Sequence, residues 1–583
     1  FSSLPTITNS ITIDGTTQPG YAGMPLIVFN GAGRPGFLIA AGHSTVRALV
    51  VMDCGTASVP ASGIVLSTNG GNVIAGCFIG CDATGTNSGY QKNNYLHGIQ
   101  IDNSPNNVIG GTNAADRNII FGNGGSGVAI SGAGATNNLV EGNYIGLNLA
   151  GTPGYPNGFT SFNVPNVLIT NAPRNTIGGV VAGARNAIAG YADGIRLAGL
   201  GATGNQIQGN YIGTAPNGSA FPGGYNKYYY RGVWIVNAPS NTVGGAVSGA
   251  GNLISGTSYG ITISGTNANA NVIQGNFIGT DVSGTSTNDN YMGIYISQGA
   301  QGTLIGGAVA GARNLISAND SEGIYISGSS DNVVQGNFIG TDITGTAALG
   351  NTPPGYLGSG VMIDSYLFPA TNNLIGGASA GARNIISGNH DTGIEFGYGP
   401  SNNVVQGNFI GTDVTGNQPL GNVNDGVLIG GALSTLIGGT NSGDGNVISA
   451  NGGNGVDVQS GATGTVIQGN TVGLTFSSVL SAAKPAPSGK PRPQDGPVVV
   501  FLLDGQNPIL DYFTDKIQVG PPIGFGSGFP GGNFIGVSDG GNGVAVVGGS
   551  GVTVSGGFYY VAGKTGTLIN NAGDIQPSPI ITT

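Results

Sequence analysis

The sequence predicts an all-β solenoid, a parallel β-helix of about 20 coils, and three observations predict it. Glycine supplies 114 of the 583 residues while 39% are hydrophobic and only 7% charged. That is too apolar for a disordered Gly-rich linker and too rich in glycine for long helices, since each interior glycine costs about 1 kcal/mol relative to alanine. Short runs of Val, Ile, Thr and Phe alternate with Gly/Asn turns, as strands and corners do. Finally, one element returns at a regular spacing over most of the chain, the mark of a repeat architecture.

That element is Gly-Asn-aromatic-Ile-Gly, at Gly142–Gly146, Gly209–Gly213, Gly275–Gly279, Gly336–Gly340 and Gly407–Gly411, with degenerate copies from Gly76 and Gly469. Successive copies start 61 to 71 residues apart. Inside each interval lie an Ile/Val-Gly-Gly element, as at Ile177 and Ile375, and an Asn-apolar-Ile/Val element, as at Asn186 and Asn384. The hexapeptides from Asn384 and Asn403 are nearly the same and start 19 residues apart. This spacing predicts a coil of about 20 residues, three to the long repeat. Asparagine suits the corners because it tolerates left-handed backbone angles and its amide can bond the same amide one coil away. The Asn, Gly, Ile and Val of the repeat are therefore read as corners and core.

Ile13-Asp-Gly-Thr-Thr-Gln-Pro-Gly20, the repeated Gly-Asn-Phe-Ile-Gly-Thr-Asp (Gly336–Asp342) and Gly-Ala-Arg-Asn before Ile-Ile-Ser-Gly-Asn (Gly381–Asn389) carry a resemblance. In these motifs the chain, over roughly residues 5–475, resembles bacterial extracellular right-handed parallel β-helix repeat proteins of the pectate-lyase-like superfamily. The resemblance implies a right-handed coil and says little about chemistry, because fold does not fix function.

Residues 1–45 read as an N-terminal cap and first coils, 46–480 as the repeats, and 481–496 as a Pro-rich linker containing Lys484-Pro-Ala-Pro-Ser-Gly-Lys-Pro-Arg-Pro493. Residues 497–583 read as a Gly-rich β tail, either a cap or an assembly segment. A net charge of −10 with 16 scattered Lys and Arg leaves no basic stripe for nucleic acid. No apolar run is long enough to span a bilayer. The start at Phe1 is read as that of an exported chain with its signal peptide removed. Cys54, Cys77 and Cys81 fall close together. A Cys54–Cys81 disulfide and three buried thiols are equally open.

Polysaccharide-processing β-helices resemble one another in grouping Asp side chains on adjacent coils. The repeated acids Asp281, Asp342 and Asp413 are 61 and 71 residues apart, about three coils on a 20-residue pitch, and read as turn residues. His43, His97 and His390 suggest no triad, although Asp391 could assist His390. Arg117, Arg185, Arg313 and Arg383 precede the Asn element and should meet turn carbonyls or acids. Gly452-Gly-Asn-Gly-Val-Asp457 matches a calcium-roll nonapeptide once, which makes Asp457 a weak calcium candidate; no other cofactor is expected. Aromatics collect after the Gly-Asn-aromatic-Ile-Gly element: Tyr155, Phe159 and Phe162, Tyr225, Tyr228, Tyr229 and Tyr230, Tyr291, and Tyr356, Tyr366 and Phe368. Such a row can stack on sugars or anchor an interface, or simply cover the core.

The expected function is that of a non-catalytic extracellular structural protein, a subunit of a surface filament, surface layer or adhesin that self-associates through its ends and tail. It is not expected to be an enzyme. The alternative is a carbohydrate-active protein, lyase or hydrolase, or a glycan-binding β-helix.

Overall fold

A computed structural model describes residues 3–473 except 87–92, 160–163, 191–192, 222–229, 354–357 and 460; beyond 473 it describes six short strands by their backbone. The chain divides into two compact units, Phe1–Leu304 with Gly311–Asn314, and Ile305–Ala310 with Leu315–Thr583. Each unit is a stack of coils, and each coil gives one strand to each of three parallel sheets. In unit 1 one such coil runs through Gln206–Gln208 (sheet 1), Tyr211–Ile212 (sheet 2) and Arg231–Val236 (sheet 3). In unit 2 another runs through Val404–Gln406, Phe409–Ile410 and Val427–Leu433.

The coil is longer than its sequence suggests. Asparagine rungs at the corner before sheet 1 follow one another at 37, 30, 36 and 30 residues. At the corner before sheet 2 the steps are 43, 24, 42 and 24. Two coils of alternating shape, not three alike, therefore make the long repeat. One shape carries a 3₁₀ turn such as Ala182–Ala184 between sheets 1 and 2 and then a tight corner. The other steps from sheet 1 to sheet 2 in two residues, Gly-Asn, and then makes a long loop. Over the two units sheet 1 counts 16 strands and sheet 3 counts 15 among the described residues, so about fifteen coils replace the expected twenty. The similar hexapeptides from Asn384 and Asn403 belong to different corners, which is why their 19-residue offset misled.

Ile and Val point inward from all three sheets and are fully buried, as Ile207, Ile212 and Ile235 show in one coil. The corners hold buried asparagine ladders. Asn186, Asn210, Asn252 and Asn276 bond amide to amide at 2.9 to 3.0 Å. Asn384, Asn408, Asn446 and Asn470 do the same in unit 2. Each side-chain oxygen accepts from the backbone N–H as well as the amide of the previous rung, and the remaining amide proton goes to a carbonyl, as from Asn408 to Ile375 at 2.9 Å. Nothing polar is left unpaired on such a rung, so burying it is tolerable. Glycine is required beside the rungs: at Gly438, with φ +89°, a Cβ would sit 1.9 Å from the Gln468 carbonyl oxygen.

The repeated arginines brace consecutive coils. Arg185 and Arg383 donate Nε–H to the carbonyls of Gly209 and Gly407 at 3.1 and 3.0 Å. Each guanidinium also lies 4.0 Å over the ring of Tyr211 or Phe409. The acids Asp281, Asp342 and Asp413 are turn residues, Asp342 accepting from the Thr344 hydroxyl at 2.7 Å and from the Thr346 amide at 3.3 Å.

In the tail, Asn533–Ile535, Val544–Val546 and Thr553–Val554 add in parallel to Thr471–Val472, Val456–Val458 and Val466–Gln468, and Gly557–Tyr559 adds to Asn533–Ile535. Leu502–Asp504 and Asn507–Ile509 form an antiparallel pair.

Candidate functional site

With the core and corners spent on packing, chemistry is confined to the outward side chains. On sheet 3 these differ between the two units. In unit 1 register puts Arg196 beside Trp234, Trp234 beside Thr262 and Thr262 beside Tyr295. The Arg196 and Arg231 guanidiniums each lie 4.2 Å from the Trp234 ring centre. The indole N–H donates to Ser264 Oγ at 3.0 Å, which lays the ring against the sheet. Tyr259 stacks on Tyr295 at 5.7 Å and meets Tyr291 edge-on at 6.4 Å. The floor beneath is polar yet covered, with Thr262, Ser264 and Ser297 each 4% exposed.

Asp193 holds the two arginines. Its buried carboxylate lies 2.6 Å from Arg196 Nη2 and 3.8 Å from Arg231 Nη1, and accepts the Arg231 backbone N–H at 2.9 Å. Two cations around one carboxylate leave one positive charge in surplus. The ladder at the corner before sheet 3 changes here as well. After Asn166 the described residues show no rung until Thr257, whose hydroxyl donates to Asn290 at 2.8 Å. Gly190, Gly194, Tyr230, Arg231 and Thr257 line a small recess in that gap. A local break in an otherwise uniform pattern is where function is first sought.

In unit 2 the outward residues of sheet 3 include three carboxyls, Asp364, Glu395 and Asp457. Register runs Tyr325, Met362, Glu395, Leu428, Asp457 along one row and Ser327, Asp364 along the next. Asp364 accepts from the Tyr325 hydroxyl at 2.6 Å and from Ser327 at 2.8 Å. Glu395 accepts from Ser359 at 2.7 Å. Burial pushes the Glu395 carboxyl up; the Ser359 bond opposes this, and Asp391, Glu322 and Asp364 add to the rise. Asp425 is likewise pushed up, first by burial, against a bond from the Asn454 backbone, with Asp457 and Asp391 adding to it. Asp391 accepts from the Gly358 amide at 3.0 Å and from the Asn424 amide at 2.5 Å. It does not serve His390, whose Nδ1 lies against the Thr352 carbonyl.

The aromatics singled out from sequence divide. Tyr155, Phe159, Tyr230 and Tyr291 stand in the loops from sheet 2 to sheet 3, with Tyr155 and Phe159 5.3 Å apart. Tyr366 and Phe368 lie past Val361–Asp364 instead, on the turn towards sheet 1. Tyr228, Tyr229 and Tyr356, with Phe162 and Tyr225, lie outside the described residues. Trp234, Tyr259, Tyr295, Arg196, Arg231, Asp364 and Glu395 were missed. Their signal was an outward position repeating one coil away, which a 20-residue spacing overlooks: Asp364 and Glu395 are 31 residues apart. On the true pitch Asp281, Asp342 and Asp413 recur every two coils rather than three.

The structure joins no Cys54–Cys81 disulfide: Cys54 is a buried thiol that donates to the Met52 carbonyl at 3.5 Å, and Cys77 and Cys81 are buried as well. Asp457 accepts from the side-chain amide of Gln459 at 3.0 Å. Among the described residues no group of three or more His, Cys, Asp or Glu side chains is arranged to hold a metal ion. No helix among them is long and apolar enough to cross a membrane.

No family model matches the chain, and no curated protein matches it. It is similar in structure to the Dettilon tailspike protein, at 14% identity over 79% of this chain and 68% of that one, with a TM-score of 0.32. A periplasmic alginate epimerase matches at 13% identity over 71% of each chain, TM-score 0.27. The A-module of the Azotobacter vinelandii mannuronan C-5 epimerase matches at 14% identity over 71% of this chain and 87% of that one, TM-score 0.24. Two of these neighbours are enzymes by name, which overturns the expectation that this chain is not one: coil-building motifs do not mark a β-helix as non-catalytic. By its own three parallel sheets the chain is a right-handed parallel β-helix, the fold type of pectate-lyase-like proteins.

Proposed function

We propose that the chain is an extracellular protein that binds a polysaccharide on the outer face of sheet 3 and acts on it by acid–base chemistry. The observation that carries this is the unequal setting of two carboxyls on consecutive coils of unit 2. Glu395 is half-buried, pushed up and surrounded by other acids, a setting that favours its protonated form and suits it to deliver a proton to a glycosidic oxygen. Asp364 is held as an acceptor by Tyr325 and Ser327 and supplies the carboxylate. Paired carboxyls in different surroundings are how acid and base roles are divided. The flat aromatic surface of unit 1 supports the same substrate class, since Tyr and Trp faces pack on sugar rings. The names of the neighbouring tailspike and epimerases agree with it.

The test is incubation of the intact chain with a panel of bacterial and plant polysaccharides, read by binding and by new reducing or unsaturated ends. Binding with new ends, both ends lost in Glu395→Gln, supports the proposal. Binding without new ends reduces it to a glycan-binding protein, and no binding removes it.

A second reading, self-association into a surface filament or adhesin, is favoured by exposed Met24, Leu26, Ile27 and Val28 in the first coil of unit 1. Electron microscopy of concentrated protein would show ordered polymers if it holds and separate particles if it does not.

A further inference from the structure

The last three coil strands before residue 474 belong to different sheets, and all would end unit 2 on open edges. An open edge presents a row of unpaired N–H and C=O groups and invites pairing with another chain. Here each edge is occupied by the tail. Phe534 and Ile535 pair in parallel with Thr471 and Val472, the same register in which Phe409 and Ile410 pair with Val447 and Ile448. Val544–Val546 pairs with Val456–Val458, and Thr553–Val554 with Val466 and Ile467. Gly557–Tyr559 then returns to the Asn533–Ile535 strand. The order is sheet 2, sheet 3, sheet 1, sheet 2, the winding order of every coil.

The sequence agrees independently. Gly532-Asn-Phe-Ile-Gly536 is a further copy of the coil-building element, 63 residues after the copy at Gly469. Yet this coil is not continuous with the one it covers. Residues 473–532, which include the proline-rich Lys484–Pro493, separate Val472 from Asn533, whereas Ile410 is followed by its sheet 3 strand from Val427.

We propose that the strands Asn533–Ile535, Val544–Val546, Thr553–Val554 and Gly557–Tyr559 make a detachable terminal coil, which docks in cis on the last sheet edges of unit 2 and blocks them from other chains.

Hydrogen exchange on the full chain tests it, comparing the natural sequence with Phe534→Asp/Ile535→Asp. The expected result is amide exchange at least about tenfold faster in Val456–Val458, Val466–Gln468 and Thr471–Val472, with Val427–Leu433 unchanged. A synthetic peptide covering 529–562 should restore protection, and the same peptide with both substitutions should not. If the double substitution loosens Val427–Leu433, Phe534→Ala takes its place with the same criteria. Unchanged exchange in the three edge strands, or no rescue by the peptide, overturns the proposal. Protection that appears only at concentrations where light scattering reports dimers would place the coil on a second copy and overturn docking in cis.

Discussion

Sheet 3 presents Trp234, Tyr259, Tyr295, Arg196 and Arg231 outward in unit 1, and Glu395, Asp364 and Asp457 in unit 2, on coils built by the same inner rules. Both units bury inward Ile and Val and carry amide ladders with bonds of about 2.9 Å. The scaffold therefore sets where an outward side chain stands and leaves its identity free. One unit gathers rings and guanidiniums on part of that face, the other carboxyls. On the proposed function the contrast separates side chains suited to holding a glycan from side chains suited to transforming it, and it can be broken by experiment.

The largest expected effect is on the carboxyls. Glu395→Gln should lower the rate on a processed polysaccharide by about 10²- to 10⁴-fold, the range for losing a positioned general acid, while leaving binding intact. A loss of binding in step with rate would erase the distinction between the two faces. Next is the shared interior. Asn210→Ala in unit 1 and Asn408→Ala in unit 2 should each cost about 3 kcal/mol in chemical denaturation, because each strands a buried rung partner and a carbonyl. Clearly unequal costs would show that the scaffolds are not equivalent. Trp234→Ala should weaken glycan binding by about 1 to 3 kcal/mol through loss of ring contact, with the rate at saturating ligand preserved.

Much of this was legible in the sequence and some was not, for physical reasons. The ladders were, because asparagine at a corner has few other uses and Asn186, Asn210 and Asn252 recur with their flanking Ile and Gly. The pitch was misread because the two coil shapes trade length between corners, 24 residues against 42 at one and 30 against 36 at another. Only their combined length is regular. The outward site was invisible for a related reason. Glu395 and Asp364 follow no motif, and they become neighbours only when the strand Val361–Asp364 is set beside Ile394–Ser401. The terminal coil was written plainly as Gly-Asn-Phe-Ile-Gly and was passed over because a proline-rich stretch precedes it.

A smaller effect distinguishes the faces by pH. Glu395 and Asp425 titrate above their ordinary range, chiefly through burial. A carboxyl raised on folding disfavours the folded state once ionised. Its stabilising contribution is complete below the unfolded value, near 4.5 for Glu and 3.8 for Asp, and is lost as pH rises through the higher folded value. Unit 2 should therefore lose stability as the pH rises through the titration of these two carboxyls. Glu395→Gln with Asp425→Asn should flatten that slope in denaturation curves. A slope unchanged in the double variant would mean that other acids set it.

The smallest effect supplies a reporter for unit 1 alone. All three cysteines lie in that unit, and burial pushes the Cys54 and Cys77 thiols up to about 12. Thiolate is the reactive form, so neither burial nor ionisation offers a reagent a foothold at pH 8. Native protein should show essentially no labelling over hours, and full labelling of three thiols once unfolded. Between those limits the labelling rate should follow the opening of unit 1. Once divided by the thiolate fraction, it should therefore stay constant across the pH range in which unit 2 weakens. A labelling rate that rises with the pH-driven loss in unit 2, beyond the tenfold per pH unit that thiol ionisation itself gives, would show that the units open together and that the two faces share one cooperative fold.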